Sequence, residues 1–285
     1  LEEKKTGLIM EGGAMRGMFT CGVIDVMMEN KITYDGAIGV SAGAVFGCNY
    51  ESKQIGRAIR YNKRFCRDPR YESFRSLIRT GDLYNVEFCY HQLPDELDFW
   101  DIKTFTENPM DFYCGCTDVE TGKAVYHKCT TGTGKDMTWL RASASMPIVS
   151  RIVEVDGYKL LDGGVADAVP LRFFEESGYN RNVVILTREP GFRKKKGKLT
   201  PIVRRKYRKY PAFVESWAHM EEVYNEEMDY IDREEREGKI YVIRPVVPLN
   251  IGKTEKNPDE LERVYQAGRR AGKRSLKAVQ DFLAR

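Results

Sequence analysis

No stretch of this sequence approaches the roughly 18 consecutive apolar residues that a membrane-spanning helix needs, which excludes a chain built on such spans. Charge of one sign is also lacking. The 46 Lys and Arg against 42 Asp and Glu leave a formal net charge of only +4, too little to argue for a nucleic-acid partner, and no recognition motif accompanies it. Cysteine is present but unorganised: seven residues, an odd number without framework spacing, exclude a disulfide-stapled scaffold and suit a reducing cytoplasm. Leu1–Lys5 is charged and does not resemble a signal peptide, while a start at Leu rather than Met leaves room for residues before it. Histidine is scarce, with only His91, His127 and His219. Internal repeats and low-complexity linkers are absent.

What is present is a stretch around which the chain is organised, Gly39-Val40-Ser41-Ala42-Gly43. The run Tyr34–Ile38 before it predicts a buried strand, and Ala44, Val45 and Phe46 open a helix. A serine flanked by glycines at a strand-to-helix junction has the pattern of a nucleophile elbow, a turn so sharp that bulky neighbours would clash. Upstream, Thr6–Met10 predicts another strand. It runs into Glu11-Gly12-Gly13-Ala14-Met15-Arg16-Gly17 and then a helix over Met18–Glu29. Strand, helix and strand form a βαβ unit, which places the glycine loop and Ser41 at the carboxyl ends of neighbouring parallel strands, where ligands gather in open α/β sheets.

Further along, Ile55–Phe65 reads as helical and Asp68–Trp100 as irregular, its aromatic residues suiting a lid or surface insertion. Asp111–Asp118 and Ala124–Cys129 form a hairpin around Glu120–Lys123, and Met137–Ser145 a helix stopped by Pro147. Ile152–Val155 and Tyr158–Leu161 flank an Asp156-Gly157 turn, and the second strand ends in Asp162-Gly163-Gly164. Leu171–Glu176 is a helix and Asn182–Thr187 a buried strand. A basic stretch, Arg193–Lys209, precedes one long helix with an apolar stripe of Phe213, Trp217, Met220, Tyr224, Met228 and Ile231. Lys239–Pro245 predicts a strand, and a final amphipathic helix carries Leu261 to Phe282. Alternating strands and helices with short joins predict one three-layer α/β/α domain over 1–285, its core at about 6–187, with a C-terminal helical elaboration over about 188–285.

Acyl-ester hydrolysis by serine needs a nucleophile, a base and donors for an oxyanion. Ser41 meets the first need. Gly12, Gly13 and Ala14 can meet the third, because backbone poor in side chains lets N–H groups converge on a small anion, and the following helix adds the positive end of its dipole. A dinucleotide cradle is disfavoured, since Gly12, Gly13 and Gly17 miss the G-x-G-x-x-G spacing and the second strand ends in Ser41 rather than an acid. A phosphate cradle stays open. Of the histidines only His219 follows Asp162, and its place about 200° round the helix from Trp217 puts it on the solvated face. A carboxylate remains as the base candidate; Asp162 ends a strand in a glycine-flanked turn, although such a turn is also an ordinary one.

Taken together, Gly12-Gly13-Ala14-Met15-Arg16-Gly17, Gly39-Val40-Ser41-Ala42-Gly43 and Asp162-Gly163-Gly164 resemble the patatin-like phospholipases in order, separation and strand context, above all bacterial members. Ala142-Ser143-Ala144-Ser145-Met146-Pro147 is similar to that family's stretch leading to its catalytic aspartate. The likeness runs from about Thr6 to Thr187. It implies a Ser–Asp dyad acting on acyl esters of lipids, with Ser41 as nucleophile, Asp162 as proton acceptor and the Gly12–Gly17 loop as oxyanion hole, and no metal or organic cofactor. Where the family loop has a third glycine this chain has Ala14, which questions the geometry of one donor. Arg16 matches the family's basic position and either pins the loop or meets a phosphate.

Cys114, Cys116, His127 and Cys129 fall on one face of the predicted hairpin, Cys116 opposite His127 and Cys114 opposite Cys129, as zinc ligands do. A buried cysteine-rich core face accounts for them better. The basic stretch Arg193–Lys209, Lys198 included, with Tyr207 and Tyr210 interleaved, suits either a solvated loop or contact with an anionic membrane surface. The expectation is a cytoplasmic lipid acyl hydrolase, peripheral at most to the membrane. A general carboxylesterase or thioesterase, or a catalytically silent lipid-binding protein, are the alternatives.

Overall fold

The computed structural model describes residues 4–197 and 200–285; Leu1–Glu3, and Lys198 of the basic stretch, lie outside them. The strands are β1 (Lys5–Met10), β2 (Gly36–Val40), β3 (Asp111–Asp118), β4 (Ala124–Cys129), β5 (Val153–Val155), β6 (Tyr158–Asp162), β7 (Tyr179–Ile185) and β8 (Ile240–Ile243). The α-helices are α1 (Gly17–Glu29), α2 (Ala42–Glu51), α3 (Arg57–Phe65), α4 (Phe74–Thr80), α5 (Ile102–Glu107), α6 (Lys135–Ser143), α7 (Leu171–Glu176), α8 (Thr200–Lys206), α9 (Pro211–Arg236) and α10 (Pro258–Leu283). A π-helix spans Phe88–Leu97.

The strands form one sheet in the order β5-β6-β3-β2-β1-β7-β8, with β4 paired to β3. All pairings from β3 through β2, β1 and β7 to β8 are parallel. The central strands are continuous apolar runs because helices cover both faces. Leu8 and Met10 of β1 enter the core shared with α1, α2, α3 and α10, whereas Ile9 between them enters the opposite core with α7 and α9. This is the expected three-layer α/β/α arrangement. The region beyond Thr187 contributes to it directly: β8 extends the sheet beside β7 and α10 packs on α1.

The pairing along β3 positions the site. β4 occupies one edge of β3 from Phe112 to Thr117. On the other edge β2 pairs parallel as far as Val40 opposite Gly115, and β6 takes over antiparallel with Asp162 opposite Cys116. β2 and β6 therefore approach each other end to end, and their carboxyl termini meet at neighbouring positions on β3. The strand bearing Asp162 runs against the parallel set, yet it still delivers Asp162 to the same end.

Two sequence expectations are corrected. Asp68–Trp100 is not irregular: it holds α4 and the π-helix, whose Pro94 and wider winding do not follow the 3.6-residue period. The β3–β4 register differs by two residues, so Cys114 faces His127 and Phe112 faces Cys129. The turn starts earlier because the Asp118 carboxylate accepts from the Glu120 amide and the Thr121 hydroxyl, closing an Asx-type turn.

α1 carries the glycine loop at its start and is held by backbone contact with α10. A Cβ on Gly22 would lie 2.1 Å from the Tyr265 carbonyl oxygen, and one on Gly268 2.0 Å from that of Phe19. No helix among the described residues is long and apolar enough to cross a membrane. Gly268→Val is expected to cost about 3 kcal/mol of stability in a denaturant titration, and a cost below about 1 kcal/mol would mean that the helices do not meet at this point.

Candidate active site

Ser41 sits between β2 and α2 with φ 56° and ψ −123°. This is a conformation that side-chain-bearing residues adopt only when their surroundings impose it. The surroundings do so by close approach: a Cβ on Gly39 would lie 2.2 Å from the Gly43 carbonyl oxygen, and one on Gly43 2.2 Å from that of Met10. Val40 and Ala42 are buried on either side of the turn.

Ser41 Oγ donates a hydrogen bond of 2.6 Å to Asp162 Oδ2. The other carboxylate oxygen, Oδ1, accepts from the Gly164 amide at 2.8 Å. Gly163, whose Cβ would strike the Gly115 carbonyl, opens the 3₁₀ turn that aims that amide. Asp162 is only 8 % exposed, and burial raises its pKa above the ordinary 3.8. The bonds from Ser41 and Gly164, and more distantly the charges of Lys194 and Lys253, counter part of that rise. Ser143, at the end of α6, completes the elbow's support. Its hydroxyl accepts from the Ser41 amide at 2.9 Å and donates to the Gly115 carbonyl at 2.6 Å.

Opposite the elbow lie Gly12, Gly13 and Ala14. Among the described residues their amides donate to no protein acceptor. Ala14 opens the 3₁₀ turn Ala14–Arg16 with φ 49°, so alanine occupies the left-handed conformation that glycine enters at no cost. Met15 is buried against the cavity described below, and Gly17 packs on Ala42 and Phe46. Arg16 does the pinning: its Nε donates to Thr187 Oγ1 at 3.3 Å. Glu11 reinforces this, since its carboxylate accepts from the Thr187 amide and hydroxyl and from the Tyr224 hydroxyl, at 2.5, 3.1 and 2.9 Å. Burial lowers the pKa of Arg16.

A cavity of about 130 Å³ opens at Ser41 and Ala14. Its walls are mainly apolar and aromatic, with Phe46, Tyr61, Tyr71, Tyr84, Tyr90 and Trp100 prominent. No histidine lines it among the described residues. His219 is solvent-facing beside Glu215 and Glu222, and His91 lies on the exposed side of the π-helix. His127 bonds Asp136 at 2.7 Å and stacks on Trp139.

Sequence reasoning paired Ser41 with Asp162 but missed the roles of Ser143, Glu11, Thr187 and Tyr224. The aromatic residues of 68–100, expected to suit a lid or a surface insertion, wall the cavity at Ser41. Their density was the available signal. The candidate metal set does not assemble as expected. His127, Cys129 and Asp136 converge, but the Asp136 carboxylate is filled by His127 and by donors from Thr130, Thr131 and Gly132, which offset burial and hold its pKa down to about 2. Cys114 and Cys129 meet sulfur to sulfur at 3.9 Å in the core. The basic stretch is not uniformly free either. Arg193 pairs with Asp229 and Asp232, and the partly buried Lys194 ammonium lies 3.9 Å over the Tyr224 ring. Lys195 and Lys196, and the cations in and after α8, are exposed.

The patatin-like phospholipase family matches residues 8–174, and a domain of unknown function matches residues 210–284. The uncharacterised protein YjjU of Escherichia coli is 30 % identical over 193 residues, covering 64 % of this chain and 52 % of that protein. Lysophospholipase NTE1 of Chaetomium globosum is 28 % identical over 192 residues, covering 61 % of this chain and 11 % of its own length. The chain thus spans about half of the first relative and about a tenth of the second. Among solved structures, VipD from Legionella pneumophila aligns over 97 % of this chain and 67 % of its own, at 12 % identity and a TM-score of 0.48.

Ala14→Gly is expected to leave stability unchanged or raise it by up to about 1 kcal/mol, since relief of the left-handed alanine outweighs the added freedom of the unfolded chain. Ala14→Val should lose about 2 kcal/mol. Equal melting of all three proteins would contradict the positive φ.

Proposed function

Because the chain belongs to the patatin-like phospholipase family, we propose that it is a serine hydrolase that cleaves acyl ester bonds of lipids with a Ser41–Asp162 dyad, as one patatin-like domain. The observation that carries this reading is the 2.6 Å bond from Ser41 Oγ to a buried carboxylate at the opening of an apolar cavity. As Oγ attacks the ester carbonyl carbon, its proton passes to Asp162 Oδ2. The carbonyl oxygen becomes an anion facing the amides of Gly12, Gly13 and Ala14. Collapse expels the alcohol, which takes the proton from Asp162, and leaves the acyl group on Ser41. Water then attacks the acyl-enzyme, again giving its proton to Asp162, and releases the acid and free Ser41. The scheme uses no metal or organic cofactor. Burial makes Asp162 a stronger base than a solvated aspartate, which narrows its deficit against imidazole.

Besides Lys206, which is exposed but donates to the Ile148 carbonyl, the exposed cations Arg204, Arg205, Arg208 and Lys209 in and after α8 support transient contact with an anionic lipid surface, each contributing about 1 kcal/mol there. Changing all four to Glu should weaken sedimentation with anionic vesicles at least about tenfold and leave neutral vesicles unaffected; equal binding to both vesicle types by the unaltered protein would remove this contact.

Ser41→Ala should lower kcat/KM on lysophospholipid esters by at least about a thousandfold with the fold intact. A variant with all three histidines changed to Gln, assayed below its melting temperature, should still hydrolyse them. Turnover retained by Ser41→Ala, or absent from the folded histidine-free protein, would overturn the dyad.

Asp162→Asn should lose nearly all activity yet melt no lower at pH 7. Since the folded-state pKa of Asp162 lies above 3.8, the native protein loses stability as pH rises from about 3.8 through that raised value, and the cost is complete above it. The Asn variant escapes that cost, so its advantage should vanish towards acid pH, while wild-type kcat/KM falls on its acid side through the raised pKa. An Asn variant that melts lower at neutral than at acid pH, relative to wild type, would contradict the assignment.

A further inference from the structure

The cavity at Ser41 ends against a wall with a second space behind it. A hollow of about 220 Å³ lies beyond, lined by His91, Asp95, Thr133 and Thr138. Val86, Tyr90, Met137 and Arg141 line both spaces and so stand between them. Two elements build this partition. The π-helix turns Cys89, Leu93 and Pro94 to the first cavity and His91 and Asp95 to the second, with Tyr90 facing both. α6 turns Leu140 to the first and Thr138 to the second, with Met137 and Arg141 facing both. The near side is mainly apolar and aromatic; the far side is mixed, with Ile102 beside the polar groups of Asp95, Thr133 and Thr138, and His91 and Asp95 there are exposed to solvent.

We propose that the Tyr90–Met137 seam is the acyl-chain ruler of this site: the tail of a bound acyl group runs from Ser41 along the apolar cavity and stops at these two side chains. This rests on the reading of Ser41 as the acyl-transfer centre. Each methylene withdrawn from water into the near cavity strengthens binding by about fourfold. A methylene pushed past the seam enters a mixed space whose His91 and Asp95 are open to solvent, and gains less. Affinity therefore climbs with chain length and breaks at the length that touches Tyr90. Tyr90 suits the role because its side chain borders both spaces. Removal of the ring joins the two spaces, and Met137 on the facing helix has the same effect from the other side.

The test is a series of saturated fatty acids from eight to twenty carbons, titrated calorimetrically into the full chain and into Tyr90→Ala, Tyr90→Phe and Met137→Ala, each checked for folding by its melting transition. The quantity read is the chain length at the break, so an overall loss of affinity in a variant does not enter. The proposal expects a break in the unaltered protein, the same break in Tyr90→Phe, and a break at least two carbons longer in Tyr90→Ala and Met137→Ala. A break unmoved in both folded alanine variants, or no break in the unaltered protein, overturns it. Because the series measures binding, a shifted break supports the ruler even in a protein that hydrolyses no ester, and failure of the hydrolase reading would show separately as an absence of Ser41-dependent turnover.

Discussion

The hydrogen bond between Ser41 and Asp162 joins residues 121 positions apart, and most of what is unusual in the structure follows from the need to make it. β3 is longer than β2, and β6 occupies the length of β3 that β2 leaves bare. Two strands of opposite direction thereby bring their carboxyl ends together on one edge. A fully parallel sheet would have set the aspartate on a neighbouring strand, farther from the serine. The left-handed backbone of Ser41, the backbone-to-backbone contacts at Gly39 and Gly43, and the Ser143 bridge from the Ser41 amide to the Gly115 carbonyl all fix the serine against that one carboxylate.

The arrangement costs stability where it supports chemistry. Asp162 is a buried carboxyl group bonded by two donors, Ser41 Oγ and the Gly164 amide. Its raised proton affinity is the property a base in a two-residue dyad needs. On the other side of the cleft the glycine loop is held by side chains and not by its own amides. Arg16 and Glu11 anchor it to Thr187 and, through Tyr224, to the long helix α9. The amides of Gly12, Gly13 and Ala14 donate to no protein acceptor among the described residues, which leaves them free for the oxyanion of the proposed reaction. The region beyond Thr187 thus takes part in the site.

Legibility in the sequence followed locality. The elbow and the glycine loop could be read because each is a short backbone geometry that admits few side chains, and the βαβ unit around them because its periods are regular. The pairing of Ser41 with Asp162 rested on a family resemblance, as nothing local to Asp162 separates it from an ordinary turn. Ser143, Glu11 and Thr187 act across 102 and 176 residues of chain, and such contacts leave no signature in spacing. The π-helix was hidden by its own irregular winding and Pro94, and the two-residue error in the hairpin came from the side-chain cap of Asp118. The polarity of β6 was beyond reach, because its direction is decided by the spare length of β3 and not by its own residues.

The central claim is that Ser41 is an activated nucleophile and that Asp162 activates it. Intact-mass measurement of the rate of labelling by a fluorophosphonate tests both halves at once. The account predicts one adduct per chain on Ser41, none on Ser41→Ala, and labelling of Asp162→Asn slowed by at least about a hundredfold. An Asp162→Asn protein labelled at the rate of the unaltered chain, or an adduct on a residue other than Ser41, would contradict it.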